Sequence, residues 1–209
     1  MLKVAIRPSS FAKANYLPQK MLEDAGIEVI QNPFSRRLTE DEILKHLVGV
    51  DGLIAGLEPL NRKVLSKHPQ LRAIARVGIG MDNVDLEAAK EFGVKVSNTP
   101  EGPTNAVAEM ALAALLAIGR NIIPANTALH HKQWEKEIGF GIEGLNVLII
   151  GYGRIGRRFA DHLRYFSANI LVVDPYIEDV SLNHGEVRTS LSEGLALADV
   201  VSIHVPGNA

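Results

Sequence analysis

The stretch LNVLIIGYGRIGRR, residues 145–158, decides the fold. A run of strand-forming residues leads into three glycines spaced G-x-G-x-x-G, at Gly151, Gly153 and Gly156. The first glycine allows a sharp turn, the second lets the backbone approach a pyrophosphate, and the third lets helix and strand pack closely. Free N–H groups and the helix dipole at such a helix start favour an anion. An ordinary strand-to-helix corner has the same pattern, so the glycines alone leave both interpretations open.

An acidic residue at the end of the next predicted strand favours the dinucleotide interpretation. The strand ILVVD ends at Asp174, 18 residues after Gly156. A carboxylate there can accept hydrogen bonds from the two ribose hydroxyls of adenosine, and it repels a 2′-phosphate. Pro175 and Tyr176 follow, with no arginine to receive such a phosphate, so NAD is favoured over NADP. The alternative is a solvated carboxylate that caps a loop.

Strands alternate with helices on both sides of this stretch, which predicts an α/β fold with parallel sheets covered by helices. Thr39 and Glu42 form a capping box that predicts a helix start. A long helix rich in alanine and leucine, 104–119, is apolar on nearly every face, which is typical of burial against a sheet or a partner subunit. The predicted strands are 4–6, 27–30, 51–55, 71–76, 94–97, one beginning at Leu145, 169–173 and 199–204. The other predicted helices are 18–25, 40–47, 61–66, 85–92, 125–134, 154–166 and 191–197.

A domain boundary is predicted where two prolines and a glycine interrupt regular structure, in the stretch NTPEGP at 98–103. The first domain is then 1–99 and the second 100–209.

Composition narrows the function classes. The 209 residues carry a net charge of −2, so no basic surface for nucleic acid or an anionic membrane is expected. The longest unbroken apolar stretch, Met110 to Ile118, is nine residues long, whereas a membrane span needs about 20. There is no cysteine, which excludes disulfides and thiolate metal sites and suits a reducing cytoplasm. We therefore expect a cytoplasmic protein without a metal site.

Five stretches in this order and spacing resemble the D-isomer-specific 2-hydroxyacid dehydrogenases, most closely their D-3-phosphoglycerate dehydrogenase branch. They are ARVGIGMDNVDLEAAKEFGVKVSNTP at 75–100, NAVAEMALAALL at 105–116, GYGRIG at 151–156, VVDPY at 172–176 and ADVVSIHVP at 198–206. The resemblance implies a flavodoxin-like substrate domain followed by a Rossmann NAD-binding domain. It also implies hydride transfer between NAD and a small 2-hydroxy acid.

The resemblance also implies a set of site residues. Arg154 and Ile155 correspond to residues whose backbone contacts the pyrophosphate, and Asp174 to the ribose acid. The residues expected beside the adenosine half are His204, Val205 and Pro206. Ile79 is expected at the nicotinamide end, and the substrate side is expected to be Arg76, Val77 and Gly78.

Each of these positions has a structural alternative. Arg76 can form a surface salt bridge, Val77 and Gly78 can form a plain turn, and His204 can be a packing histidine. A phosphorylated substrate needs further cations, for which Arg7, Lys63 and Arg76 are candidates.

The family's acid–base histidine, its glutamate and its substrate-binding arginine lie beyond the segment that resembles residues 198–206. No catalytic residue is therefore assigned in this chain, and the NAD-binding domain is expected to be incomplete. We expect a truncated form of such an enzyme with negligible turnover. Two alternatives are an NAD(H)-sensing module of the corepressor type, which binds without turnover, and a structural fragment without a ligand. The helix 104–119 and the segment to Trp134 predict a homodimer, unless they are buried within one subunit.

Overall fold

The computed structural model describes residues 1–134, 136–178, 182–183 and 185–206. They form two compact units, unit 1 (Met1–Gly102) and unit 2 (Pro103–Pro206), which divide within the stretch 98–103. Each unit contains one sheet whose described strands all pair in parallel. The predicted α/β class with parallel sheets is therefore confirmed.

The described strands of unit 1 have the order β2-β1-β3-β4-β5, which is the flavodoxin-like order. The strands are β1 Lys3–Ile6, β2 Glu28–Ile30, β3 Gly52–Ala55, β4 Ala73–Arg76 and β5 Lys95–Asn98. The helices are α1 Leu17–Asp24, α2 Glu40–His46, α3 Arg62–Ser66 and α4 Leu86–Glu91. The core of this unit contains Ile43, Leu47, Leu53, Leu60, Leu65 and Ile74, all at most 2% exposed.

Local sequence signals explain where several helices of unit 1 begin. The predicted capping box of α2 is present, with the Thr39 hydroxyl accepting from the Glu42 N–H and the Glu42 carboxylate accepting from the Thr39 N–H. Asn61 and Asp85 cap α3 and α4 in the same way through one side-chain oxygen each. These caps satisfy backbone N–H groups that have no partner inside a helix.

The described strands of unit 2 have the order β8-β7-β6-β9. Numbered in chain order within the unit, this order is 3-2-1-4, which is the order of the first four strands of a Rossmann sheet. The strands are β6 Asn146–Ile150, β7 Asn169–Val173, β8 Glu186–Arg188 and β9 Val200–Ile203. The helices are α5 Thr104–Gly119, α6 Ile122–His130, α7 Arg154–Arg164 and α8 Leu191–Leu197.

Two elements of unit 2 differ from the prediction. The strand β8 lies where a polar loop was predicted. The prediction was wrong because Glu186, the first residue of this strand, is charged but buried. The helix α6 begins at Ile122 rather than at 125 and ends at His130. Pro124 is tolerated there because it lies in the first turn, where its missing N–H removes no helical hydrogen bond.

The long helix α5 is only partly buried. Ala108, Leu115 and Gly119 are its buried residues, and α5 packs against α7. Met110 is 69% exposed and Ile118 is 67% exposed. Among the described residues no single helix has the length and apolar character to cross a membrane; α5 and α6 meet those criteria only as a pair, which is bent by 63°.

Candidate functional site

The corner after β6 requires glycine at its first position. Gly151 has φ +90°, a conformation that side chains rarely adopt. A Cβ atom there would lie 2.6 Å from the carbonyl oxygen of His204. The Gly151 N–H donates to the Val173 carbonyl at 2.8 Å, which ties the corner to the end of β7. The chain therefore turns sharply between the ends of three parallel strands.

The other two glycines differ from each other. A Cβ atom at Gly156 would collide with the Gly151 carbonyl oxygen, so this glycine lets α7 pack against the corner. At Gly153, by contrast, φ is −75° and a Cβ atom would meet nothing within 4 Å. Packing in the described chain therefore explains two of the three glycines, whereas the surface beside Gly153 is open.

The helix α7 begins at this open surface without a side-chain cap. Gly153 is its N-cap residue, Arg154 is exposed and Ile155 is half-buried. The first N–H groups of a helix have no partner inside the helix, and the helix dipole makes them attractive to an anion. The Arg158 side chain donates to Asn105 at 2.8 Å and links α7 to α5. Arg154 and Ile155 thus supply backbone donors at the start of a firmly packed helix.

Asp174 lies directly beside the glycine corner. Its Oδ2 accepts a hydrogen bond from the Tyr152 N–H at 2.7 Å, and its Oδ1 accepts one from the Tyr176 N–H at 2.8 Å. These bonds fix the carboxylate at the end of β7, next to the start of α7. Each carboxylate oxygen can accept a further hydrogen bond, so the group can still receive hydroxyl donors from a ligand.

Tyr152, the residue between the first two glycines, is buried. The sequence patterns did not predict this burial. Its hydroxyl donates to the buried Glu186 carboxylate, which also accepts from Arg164 at 3.1 Å. The Arg157 guanidinium lies 4.7 Å from the Tyr152 ring centre. Burial, together with the Glu186 hydrogen bond, raises the pKa of the Tyr152 phenol. No local pattern links Tyr152 to Glu186, because the two residues lie 34 positions apart.

His204 packs within unit 2 at the end of β9. Its backbone N–H donates to the Ile150 carbonyl at 2.7 Å, and its ring Nε2 lies 2.8 Å from the Ser202 hydroxyl. The ring centre is 5.5 Å from that of Phe159. Burial lowers the pKa of His204, which favours a neutral ring. Val205 and Pro206 follow on the surface, and the Val205 side chain borders Gly151.

In unit 1 the expected substrate residues lie at the end of β4 and in the two positions after it. The Val77 N–H donates to the Ala55 carbonyl at 2.9 Å, and the Gly78 N–H donates to the Thr99 hydroxyl at 2.7 Å. Both backbone donors expected to hold a carboxylate are therefore already engaged. Gly78 has φ +134°, and the Arg76 side chain folds over it, so a Cβ atom would collide with the guanidinium.

Arg76 keeps a free donor in this arrangement. Its Nη1 donates to the Val77 carbonyl, whereas its buried Nε has no partner among the described residues. Ile79 is half-buried, and its carbonyl accepts from the Asn98 side chain at 2.8 Å, which ties this loop to β5. An unpartnered buried N–H on a guanidinium fits an anionic acceptor.

The other two candidate cations for a phosphate are committed elsewhere. The Arg7 guanidinium is buried and donates to the carbonyls of Gln31 at 3.1 Å and His46 at 2.8 Å. Lys63 forms an ion pair of 2.6 Å with Glu40. The Arg7 side chain therefore links its own segment to the segments after β2 and at the end of α2, and Lys63 belongs to an exposed ion pair.

Comparisons with known proteins agree with this architecture. The family model for the D-isomer specific 2-hydroxyacid dehydrogenase catalytic domain matches residues 13–203. The chain is 36% identical over 194 residues to D-3-phosphoglycerate dehydrogenase of Methanocaldococcus jannaschii and 31% identical over 192 residues to the human enzyme. Each alignment covers 90% of this chain and 36% of the relative, so the chain spans about a third of the length of these curated relatives.

Two solved structures show the same fold over nearly the whole chain. A putative D-isomer specific 2-hydroxyacid dehydrogenase from Polaromonas sp. JS6 66 has a TM-score of 0.88 at 26% identity, covering 100% of this chain and 66% of that one. The apo structure of D-lactate dehydrogenase from Escherichia coli has a TM-score of 0.82 at 29% identity, covering 99% and 66%. With the family model matching most of its length, the chain belongs to the D-isomer-specific 2-hydroxyacid dehydrogenase family.

Proposed function

We propose that unit 2 binds NAD and that the chain serves NAD-dependent oxidation or reduction at C2 of a 2-hydroxy acid. One observation carries the proposal: the Asp174 carboxylate is hydrogen-bonded to the backbone of the same glycine corner that opens α7. A diphosphate at the helix start and a ribose at the carboxylate would thus be held by adjacent groups. Bound NAD supplies the hydride chemistry, and the protein supplies position and electrostatics.

Each candidate residue has a defined part in this proposal. The open surface at Gly153 admits the diphosphate, and the N–H groups of Arg154 and Ile155 bind it. Asp174 accepts the ribose hydroxyls and disfavours the 2′-phosphate of NADP. The segment His204 to Pro206 borders the adenosine half of the dinucleotide, and Ile79 remains the residue expected at its nicotinamide end.

The substrate is proposed to bind at unit 1 through the Arg76 guanidinium, whose buried Nε still needs an acceptor. A 3-phosphoglycerate-like hydroxy acid is favoured because the curated relatives described above are D-3-phosphoglycerate dehydrogenases. A homodimer through α5 and α6 and a cytoplasmic location complete the proposal.

Calorimetric titration of the purified chain with NADH and with NADPH tests cofactor binding. We expect saturable heat with NADH and at least tenfold weaker binding of NADPH. Absence of heat with both dinucleotides, in protein that is folded by circular dichroism, would refute the proposal. No residue of the chain is assigned to the acid–base step, so cofactor binding is the decisive measurement.

The second candidate function is a corepressor-like module that binds NAD(H) without turnover. It makes the same prediction for NADH binding. We expect negligible turnover of D-3-phosphoglycerate and D-lactate in a steady-state assay, because no residue of the chain is assigned to the acid–base step. Robust turnover would contradict this expectation and would exclude a module that only binds.

A further inference from the structure

A cleft in unit 1 is lined by two arginines, of which only Arg76 has a proposed role. The cleft has a volume of about 280 Å³ and lies beyond the carboxyl ends of β3 and β4. Its lining residues are Arg37, Leu57, Arg76, Gly80, Asp82 and Asn83. Ligands of parallel α/β sheets commonly bind at this edge.

The neighbouring arginines Arg36 and Arg37 have different environments. Arg36 forms an ion pair of 2.6 Å with Glu42 and lies over the Phe34 ring. Arg37 has no hydrogen bond or ion pair from its guanidinium within the described part of the chain, and it lines the cleft. Its charge acts on the Glu58 carboxyl, whose pKa is raised mainly by burial. Arg37 is therefore a cation without a side-chain hydrogen bond or ion pair among the described residues, and it lines the same cleft as Arg76.

The backbone that carries Arg37 is held in place. The Asn32 side chain donates to the carbonyls of Arg7 at 2.7 Å and Arg36 at 2.9 Å. The Arg36 guanidinium donates in turn to the Arg37 carbonyl at 2.9 Å. Both peptide groups that flank the Arg37 Cα are thus bonded, so binding a ligand does not require the loop to become ordered first.

The opposite wall of the cleft is also braced. The Asn83 side chain donates to the carbonyls of Gly56 at 3.3 Å and Glu58 at 2.7 Å. The Leu60 N–H donates to the Asn83 carbonyl at 2.7 Å. These bonds join the loop after β3 to the loop after β4. They use both N–H donors of the Asn83 side-chain amide, so this amide has no donor left for a ligand in the cleft.

The charges in the cleft favour an anion. Arg37 and Arg76 carry two positive charges, and the exposed Asp82 carboxylate carries the one negative charge among the six lining residues. One anion on Arg76 leaves Arg37 free to bind a second anionic group of the same ligand. Arg37 lies on the loop between β2 and α2, whereas Arg76 lies at the end of β4. The two arginines therefore line the cleft from different segments of the chain.

We propose that Arg37 binds a second anionic group, a phosphate or a second carboxylate, at the far end of the hydroxy-acid substrate. This inference rests on the proposed function, because it extends the substrate site at Arg76. Arg37 would then select doubly charged hydroxy acids over simple ones.

The test is calorimetric titration of the 209-residue chain with three probes, D-3-phosphoglycerate, D-malate and D-glycerate. Wild-type protein is expected to bind at least one of the first two more tightly than D-glycerate. Arg37→Ala should weaken binding of that probe about tenfold and change D-glycerate binding less than about twofold. Arg37→Lys should restore part of the loss, and Asp82→Asn should strengthen binding of the same probe.

The control variant is Arg62→Ala, which removes another exposed arginine of unit 1, one that is paired with Glu91 at 2.7 Å. It should change none of the affinities. Urea unfolding of each variant checks that Arg37→Ala stays folded despite its influence on Glu58. Equal loss for D-glycerate, no loss for any probe, or no binding of the three probes to wild type would each overturn the inference. An NADH titration of the same samples separates the outcomes, since the proposed function fails only if wild type also fails to bind NADH.

Discussion

The Asp174 carboxylate accepts a hydrogen bond of 2.7 Å from the backbone N–H of Tyr152. This bond places a negative charge at the corner that begins α7, where an adenosine ribose and its diphosphate would meet. It also gives Asp174 a structural part, because the carboxylate closes the turn even without a ligand. Variants at this position must therefore be compared with one that removes a similar bond elsewhere.

Asp174→Ala should weaken NADH binding at least tenfold, because it removes a charge-assisted acceptor worth about 1.5–3 kcal/mol. The matched control is Asp199→Ala, since Asp199 accepts from the Asn146 N–H at 2.8 Å at the opposite end of β6. Both variants should lose similar stability in urea unfolding, whereas only Asp174→Ala should lose NADH affinity by calorimetry. Equal NADH affinities in the two variants would contradict the ribose role.

Two of the three corner glycines, Gly156 and Gly153, make separable predictions. Gly156→Ala should destabilise unit 2 by about 1–3 kcal/mol, because its Cβ would collide with the Gly151 carbonyl oxygen. Gly153→Ala has open space and a negative φ, so its unfolding free energy should fall by about 1 kcal/mol or less. Its NADH affinity should nevertheless fall at least tenfold, because the added methyl would occupy the surface proposed for the diphosphate. Retained affinity in Gly153→Ala would mean that the diphosphate lies elsewhere.

The buried Tyr152–Glu186 hydrogen bond should contribute to stability. Tyr152→Phe removes one donor from a carboxylate that is buried, and we expect a loss of about 1–3 kcal/mol in urea unfolding. Tyr176→Phe is the control, because that tyrosine is 95% exposed and its hydroxyl should contribute almost nothing. A Tyr152→Phe protein as stable as the control would show that Arg164 and the other partners satisfy Glu186 without the phenol.

Sequence patterns predicted the elements that depend on local chemistry. The capping box at Thr39, the glycine corner and the span of α5 follow from signals within a few residues, so their elements lie within about three residues of the prediction. The strand β8 and the burial of Tyr152 depend on a contact between distant residues, which periodicity does not encode. The contrast between Arg36 and Arg37 is of the same kind, since adjacent identical residues can be told apart only by their partners.

Acid should destabilise unit 1 through His68. This side chain is 2% exposed, neither ring nitrogen has a partner among the described residues, and burial lowers its pKa. The unfolded chain binds the proton at a pKa of about 6.5. Stability is therefore fully present above this pH and declines as the pH falls from it toward the lower native pKa.

Urea unfolding at neutral and mildly acidic pH checks this dependence. His68→Leu should reduce the loss of stability on acidification, whereas the exposed His131→Leu should leave it unchanged. An equal pH dependence in wild type and both variants would show that other groups cause it, among them His204, whose pKa burial also lowers.

The exposed apolar residues of α5 and α6 should form a dimer interface. Met110, Ile118 and Ile123 are 69%, 67% and 68% exposed, and Trp134 in the segment that follows is 85% exposed. Large apolar side chains exposed on consecutive helices are consistent with an interaction surface. Analytical ultracentrifugation should find wild type as a dimer and the Ile118→Glu/Ile123→Glu variant as a monomer, because two charges would be desolvated at the interface. Met21→Glu places a charge on a residue of unit 1 that is 64% exposed and should stay dimeric. A monomeric wild type at micromolar concentration would contradict the interface, while a dimer that persists in the double variant would place it on another surface.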